Sequence, residues 1–477
     1  MDYQLLAQKL IEKKFEEAEE MSVKELDANK YNAQLWLYLG QALALQGYGA
    51  SAMAVFNRAW ILDPEAAWIN KAKADLAKAD LTSSKKGVDQ LLLVKTVSVS
   101  AALIVKNEAE HIENCLKKIE ASVDEIILVD TGSTDATVEI AEKFSKVKIV
   151  NFQWCDDFGA ARNAAIPYIT SEWVIWVDAD EYLYEEDMEA VKEVAGIFDD
   201  LLVPVLLRVG VMCQNDDGSI FGRYGVTRMY RKKDNFKFFG RIHEQVVFDG
   251  RDIYDKGNTY SHAVRIRLLH HGYKLSVLKE KNKLERNIRL LEKTVDENKN
   301  DPAWLFFLGR EYFNSGDFDR AFEVLSHCQE EAVKYPGFGR LLEVYILKAQ
   351  ILINRNNYSE AEEICNMALG LRADFPDALY LLAIIHVEKA YRLNKAAEDL
   401  VSGSKHSFES YRDIVSPDNS ILEWKADLLL ADILLYQGRM ADAYGLYKKT
   451  LEISPMKEEI LNKMKSIELE RQKTIGN

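Results

Sequence analysis

The chain has 477 residues, with 61 Lys and Arg against 76 Asp and Glu, a formal net charge of −15, and 48% apolar and 29% charged residues. This is the composition of a folded globular protein of about three domains, and its acidity speaks against binding nucleic acid or anionic lipid through bulk charge. No run approaches the ~20 apolar residues that span a bilayer; the best, 201–213, is short and contains Pro204 and Arg208. Met1–Leu10 lacks the basic start of a signal peptide. Cys115, Cys155, Cys213, Cys328 and Cys365 are widely spaced without a CxxC pair, which points to a reduced cytoplasmic protein with neither a disulfide frame nor a thiolate zinc site.

Residues 1–80 have helical periodicity. Within them Trp36, Leu39 and Gly40, then Ala52, Phe56, Ala59 and Pro64 have the spacing of a tetratricopeptide repeat, a helix–turn–helix of about 34 residues. Gly40 and Ala52 are small where two antiparallel helices approach, and Pro64 ends the second helix. A polar linker is expected over 81–95. From 96 to 275 strand-like runs alternate with amphipathic helices: strands at 97–105, 125–129, 148–152 and 173–177, helices at 110–122, 137–144 and 160–168. This order predicts a parallel sheet with helices on both faces, and ligands beyond the carboxyl ends of its strands. A connecting helix is expected over 276–300, then helical repeats over 301–477. Gly309, Ala349, Ala383 and Ala431 mark unevenly spaced copies, and stacked pairs of this kind form a solenoid suited to peptide binding or self-association.

Two strand ends carry chemistry. Strand 125–129 runs into Asp130-Thr-Gly-Ser-Thr-Asp135, a carboxylate, a glycine turn and a hydroxyl cap. Strand 173–177 runs into Asp178-Ala-Asp180-Glu181. Three carboxylates in four residues repel one another unless a cation neutralises them. Alternation in Asp-x-Asp predicts that both aspartates face one side and share a hard metal, Mg²⁺ or Mn²⁺, whose remaining ligands would be phosphate oxygens. Trp154, Trp173, Trp176 and Tyr230 are either sugar-pocket walls or core.

Lys106-Asn107-Glu108, Asp130 to Asp135, Ala161-Arg162-Asn163 and Asp178-x-Asp180 occur in the order that resembles family 2 glycosyltransferases of the GT-A fold. Asp157-Phe158, Arg228-Met-Tyr-Arg231, Gly240-Arg-Ile-His243-Glu244, His270-His271-Gly272-Tyr273 and Trp304 to Glu311 look like a narrower group, the sublancin-type enzymes that glycosylate Cys or Ser of bacteriocin precursor peptides. The likeness covers about residues 95–320, and the full repeat at Trp36–Pro64 departs from it.

That resemblance implies an α/β GT-A domain flanked by all-α tetratricopeptide-repeat regions. It implies a nucleotide-sugar pocket of Lys106, Asn107, Glu108, Asp130, Ser133, Arg162 and Asp178. Arg162 has a second reading as a structural partner of Asp156 or Asp157. Metal ligation falls to Asp180 and His270, with Asp178 beside them on the ribose or on a metal-bound water, and His271 as an alternative to His270. Imidazole with carboxylate suits Mn²⁺ better than Mg²⁺. Glu244 or His243 would activate the acceptor. The expected function is metal-dependent, inverting transfer of a hexose from a UDP-sugar to a Cys, Ser or Thr side chain of a peptide or protein, by a homodimer formed through the repeats. A cell-surface glycan or lipid-linked acceptor, or a repeat scaffold with an inactive transferase domain, are the competing readings.

Overall fold

The computed structural model describes residues 3–76, 80–215, 217–248, 254, 259–270, 283–412 and 415–475. They fall into two compact units, 1–339 and 340–477. Among the described residues no helix is long and apolar enough to cross a membrane.

The first unit is built around an eight-stranded sheet of order β3-β2-β1-β4-β7-β6-β10-β5. Its strands are β1 (Val99–Val105), β2 (Glu125–Asp130), β3 (Val147–Asn151), β4 (Trp173–Trp176), β5 (Glu181–Leu183), β6 (Val205–Gln214), β7 (Ile220–Arg231) and β10 (Tyr260–His270). β8 (Phe236–Phe239) and β9 (Gln245–Phe248) form a separate two-stranded ribbon. The first four strands are parallel, as the alternating pattern predicts. The rest of the sheet corrects that expectation. β7 runs antiparallel to both β4 and β6, β10 runs parallel to β6, and β5 is antiparallel to β10. Consecutive β6 and β7 pair through the short connection around Gly218, a link that no parallel pair can use.

Register determines where the site forms. Val105 pairs with Asp130, Asp130 with Asn151, and Ala102 with Trp176, so the carboxyl ends of β1, β2 and β4 lie side by side. At the far end, His270 pairs with Cys213 on one flank and Glu181 on the other. A histidine some ninety residues downstream is thus brought to the Asp178–Glu181 turn.

The amino-terminal repeat forms as its spacing predicts, with helices Ala33–Leu45 and Gly49–Leu62. A Cβ on Gly40 would lie 2.5 Å from the Phe56 ring, so glycine is required at that crossing. Trp36, Leu39, Ala52, Phe56 and Ala59 are buried. The second helix packs against the eight-stranded sheet and its flanking segments: Arg58 donates to Glu193 (2.9 Å) and to the Leu92 carbonyl (2.7 Å). Trp60 lies 4.2 Å under the Arg265 guanidinium, and His262 Nε2 is 2.8 Å from the Leu62 carbonyl. Within 81–95, where a linker is expected, Val88–Leu92 is a short helix started by Gly87 at φ +95.

After the helix Lys283–Glu297, the pair Pro302–Ser315 and Phe318–Ala332 reproduces the repeat, with Gly309 against Leu325. The second unit contains pairs Leu341–Asn354 with Tyr358–Leu371 and Ala426–Tyr436 with Met440–Leu451. Ala349, Ala361, Ala431 and Ala443 are fully buried at their crossings. The copy expected at Leu382-Ala383 is different. Residues Pro376–Ser410 form one 35-residue helix; Ala383 is exposed and Ala378 is the buried small residue. No proline or turn sequence interrupts 377–402, so nothing there divides the helix in two.

Candidate active site

The polar residues at the ends of β1 and β2 form one laced pair of loops. Asp130 accepts from the backbone N–H groups of Gly132 (3.2 Å) and Ser133 (3.0 Å), with Gly132 at φ +99. Asn107, at φ +55, accepts from Thr134 N–H at 2.7 Å and donates its own N–H to Ser133 Oγ at 3.0 Å. Glu108 N–H donates to Thr137 Oγ1 at 2.7 Å. Lys106, Asn107, Glu108, Asp130 and Ser133 are therefore neighbours, with Lys106 exposed and Asp130 buried.

Beyond β4 the three carboxylates divide. Asp178 is held bidentately by Arg228, at 2.6 Å to Oδ2 and 3.1 Å to Oδ1, and accepts from Arg162 at 3.1 Å. Burial acts to raise its pKa, but the Arg228 and Arg162 guanidiniums outweigh that and hold the carboxyl well below the usual range. Glu181 accepts from the Asp178 backbone N–H (2.9 Å) and from Arg228 (3.1 Å), and its burial pushes its pKa up. Asp180 has a different partner: its Oδ2 is 3.5 Å from His270 Nε2. Glu181 N–H closes a turn onto the Asp178 carbonyl (2.9 Å), and Asp178 and Asp180 both pull on the His270 imidazole.

Arg162, on the helix Phe158–Ala165, lies 5.1 Å from the Trp176 ring and donates to Glu244 at 2.5 Å. Glu244, Arg162, Asp178, Arg228 and Glu181 thus form one continuous chain of charges. Asp156 and Asp157, the alternative partners of Arg162, are occupied elsewhere: Asp156 with Arg289 (2.6 Å) and Lys293 (2.7 Å), and Asp157 as the cap on Ala160 N–H (2.8 Å). His243, at φ +51, turns away from the site. Its ring stacks on Phe307 at 4.7 Å, and its Nε2 is 3.2 Å from Glu311 and 3.1 Å from Arg310.

Trp173, Trp176 and Tyr230 are core residues, and Trp154, packed on Phe158 at 4.8 Å, is the half-buried one of the four aromatics. His271, Gly272 and Tyr273 lie outside the described residues. Sequence reading singled out Arg228 without a role; its bidentate grip on Asp178 depends on a β7 register that no local pattern encodes. Glu311 gave no signal beyond its place in a matched stretch.

Asp180 and His270 suit a divalent cation chemically. One is a hard carboxylate, the other an imidazole kept neutral because burial lowers its pKa against the pull of Asp180 and Asp178. Among the described residues no three such side chains form a ready-made cage, so the pair suits an ion that takes its other ligands from a diphosphate.

The mixed sheet, the laced loops and the acidic turn define a nucleotide-sugar transferase fold of GT-A type. Residues 100–249 match the family described as Glycosyl transferase family 2, and helix pairs of tetratricopeptide spacing lie on both sides of that stretch in the chain. It is 30% identical over 264 residues to the SPbeta prophage-derived glycosyltransferase SunS of Bacillus subtilis, covering 55% of this chain and 60% of that one. Identity is 29% over 228 residues to a TPR repeat-containing protein of Synechococcus elongatus, covering 47% and 54%. The chain thus spans less than two thirds of the length of these relatives. Among solved structures, S. aureus TarS 1–349 in complex with UDP-GlcNAc aligns at 17% identity over 57% of this chain and 89% of that one, with a TM-score of 0.35, too slight a likeness to argue from.

Proposed function

We propose that the chain is a metal-dependent, inverting glycosyltransferase that moves a hexose from a UDP-sugar to a Cys, Ser or Thr side chain of a peptide or protein, in the manner of enzymes acting on bacteriocin precursors. The observation that carries this reading is the approach of Asp180 to His270 at 3.5 Å, beside an arginine-clamped Asp178, at the carboxyl ends of β4 and β10. The sequence relationship to the glycosyltransferase SunS supports the transfer chemistry, and the peptide acceptor rests on the resemblance of residues 95–320 to the sublancin-type enzymes.

In this reading the loops around Lys106–Glu108 and Asp130–Ser133 receive the uridine. Asp178 orients the ribose, and Asp180 and His270 hold Mn²⁺ or Mg²⁺. A cation held there would supply positive charge to offset that developing on the diphosphate as the sugar leaves. Arg162 and Arg228 bring two further positive charges to the same corner, preorganised by their bonds to Asp178. Transfer is a single displacement: the acceptor sulfur or oxygen bonds to the anomeric carbon, the carbon–oxygen bond to diphosphate breaks, and its electron pair leaves with UDP. Glu244 is the proposed base. Its carboxylate belongs to the active-site chain of charges, whereas His243 Nε2 faces Glu311 and Arg310. A Cys thiol, with a pKa near ~8.5, needs little help from it and a Ser hydroxyl needs much more. The helical repeats are proposed to bind the acceptor or a second copy of the chain.

The test is release of UDP from UDP-glucose and UDP-GlcNAc with Mn²⁺, in the absence and presence of Cys- and Ser-containing peptides. Wild type is expected to release UDP, and Asp180→Ala to lose that turnover by at least ~10²-fold, while retaining its thermal midpoint. Equal turnover by the two proteins would overturn the assignment.

A further inference from the structure

The loop that carries Glu244 is held by the first helix of the second helical array, for which the sequence suggested peptide binding or self-association. Gly240 has φ +108, and a Cβ there would lie 2.2 Å from the indole of Trp304 on Pro302–Ser315. The Gly240 and Arg241 carbonyls accept from the N–H groups of Gly159 (3.3 Å) and Phe158 (2.9 Å), at the start of the Arg162 helix. At the other end of the loop His243 is in the left-handed region, a conformation costly for a residue with a side chain. What meets its ring is Glu311, a buried carboxylate, with Arg310 alongside and Phe307 beneath. Burying a carboxylate is expensive, and a leucine there would pack at no such cost. The buried charge therefore needs a reason, and its bonds lead one residue from Glu244.

We infer that Glu311 is a positioning residue for transfer: by bonding His243 it sets the loop so that Glu244 meets Arg162, and Arg162 meets Asp178. This inference rests on the proposed function, since it assigns Glu311 a part in that reaction. It makes the Pro302–Ser315 helix a support of the loop that carries Glu244, so that the second helical array begins at the edge of the active site.

The experiment uses the full chain with Glu311→Ala, Glu311→Gln and Glu311→Leu, the last filling the space without offering an acceptor if the alanine variant fails to fold. UDP-glucose hydrolysis is expected to fall about 10- to 100-fold in kcat in the Ala and Leu variants, the scale for a slightly misplaced group. KM should stay within about threefold, and Glu311→Gln, which keeps an oxygen facing His243, should recover most of the rate. A purely packing role predicts the opposite pattern, a lower unfolding midpoint with unchanged kcat, and that result overturns the inference. Independently of turnover, Glu311→Leu and Arg162→Met are combined in a double-mutant cycle of urea midpoints. Non-additive shifts are expected; additive ones overturn the inference. Should wild type release no UDP from any UDP-sugar, the proposed function fails on its own ground, while the cycle still decides whether Glu311 sets Arg162.

Discussion

Arg162→Met tests the chain of charges at its centre. The substitution keeps an apolar stem of similar length over Trp176 and Phe238, now 5.1 and 5.3 Å from the guanidinium, but removes the charge. Asp178 retains its bidentate bond from Arg228, so the loss falls on Glu244, whose only 14% exposed side chain is left without this 2.5 Å partner. Removing one member of a buried pair costs about 3–5 kcal/mol. The lower end applies here, about 3 kcal/mol, because Glu244 retains some access to water. With a urea slope of about 3 kcal/mol per M for a unit of this size, the unfolding midpoint should fall by about 1 M. Tryptophan fluorescence isolates the relevant unit, since Trp424 is the one tryptophan of the eight that lies outside residues 1–339. Glu244→Gln in the same background should restore much of the loss, since it replaces the stranded charge with a neutral amide. A midpoint within about 0.2 M of wild type in Arg162→Met, equivalent to about 0.6 kcal/mol on the same slope, would show that the pair is exposed in solution and refute the reasoning.

Two further outcomes follow from other parts of the fold. Gly240→Ala should destabilise the first unit by at least about 2 kcal/mol, combining overpacking against Trp304 with a backbone angle that side chains avoid; wild-type denaturation would mean that the loop stands clear of that helix. In the second unit burial acts to raise the Asp427 pKa, but the ammonium groups of Lys405 and Lys449 outweigh it and hold the carboxyl below its usual value. A depressed carboxyl stabilises the fold above the unfolded value of about 3.9 and loses that contribution as pH falls through the folded pKa. The unit should therefore melt at lower temperature at pH 3 than at pH 6, and Asp427→Asn should melt lower at pH 6 while showing a smaller drop between the two. The fluorine resonance of fluorotryptophan at position 424 reports this locally; equal pH drops in both proteins would contradict the assignment.

How much could be read in advance differs from element to element. The repeat at Trp36–Pro64 was legible because each anchor is a local packing demand: Gly40 must admit Phe56, and proline must follow the helix end. The first four strands were legible because alternation of apolar strands and amphipathic helices dictates parallel crossovers. The copy at Leu382-Ala383 was misplaced because a helix that simply continues to Ser410 leaves no signal where a turn was expected. The Asp-x-Asp turn was legible by its charge, while the partner of each carboxylate was not, since Arg228 and His270 arrive from strands distant in the chain.

Sequence alone was enough for the order of elements, the nucleotide-sugar transferase motifs and the residue types that concentrate charge at strand ends, because these depend on neighbours within about a dozen residues. Only tertiary structure decided which charges meet. Arg228 reaches Asp178 through the antiparallel insertion of β7, His270 reaches Asp180 through the register of β10 with β5, and Glu311 reaches His243 across the Pro302 helix. Pairings of that kind are set by the packing of segments separated by tens of residues, and such distances leave no periodicity in the chain to read.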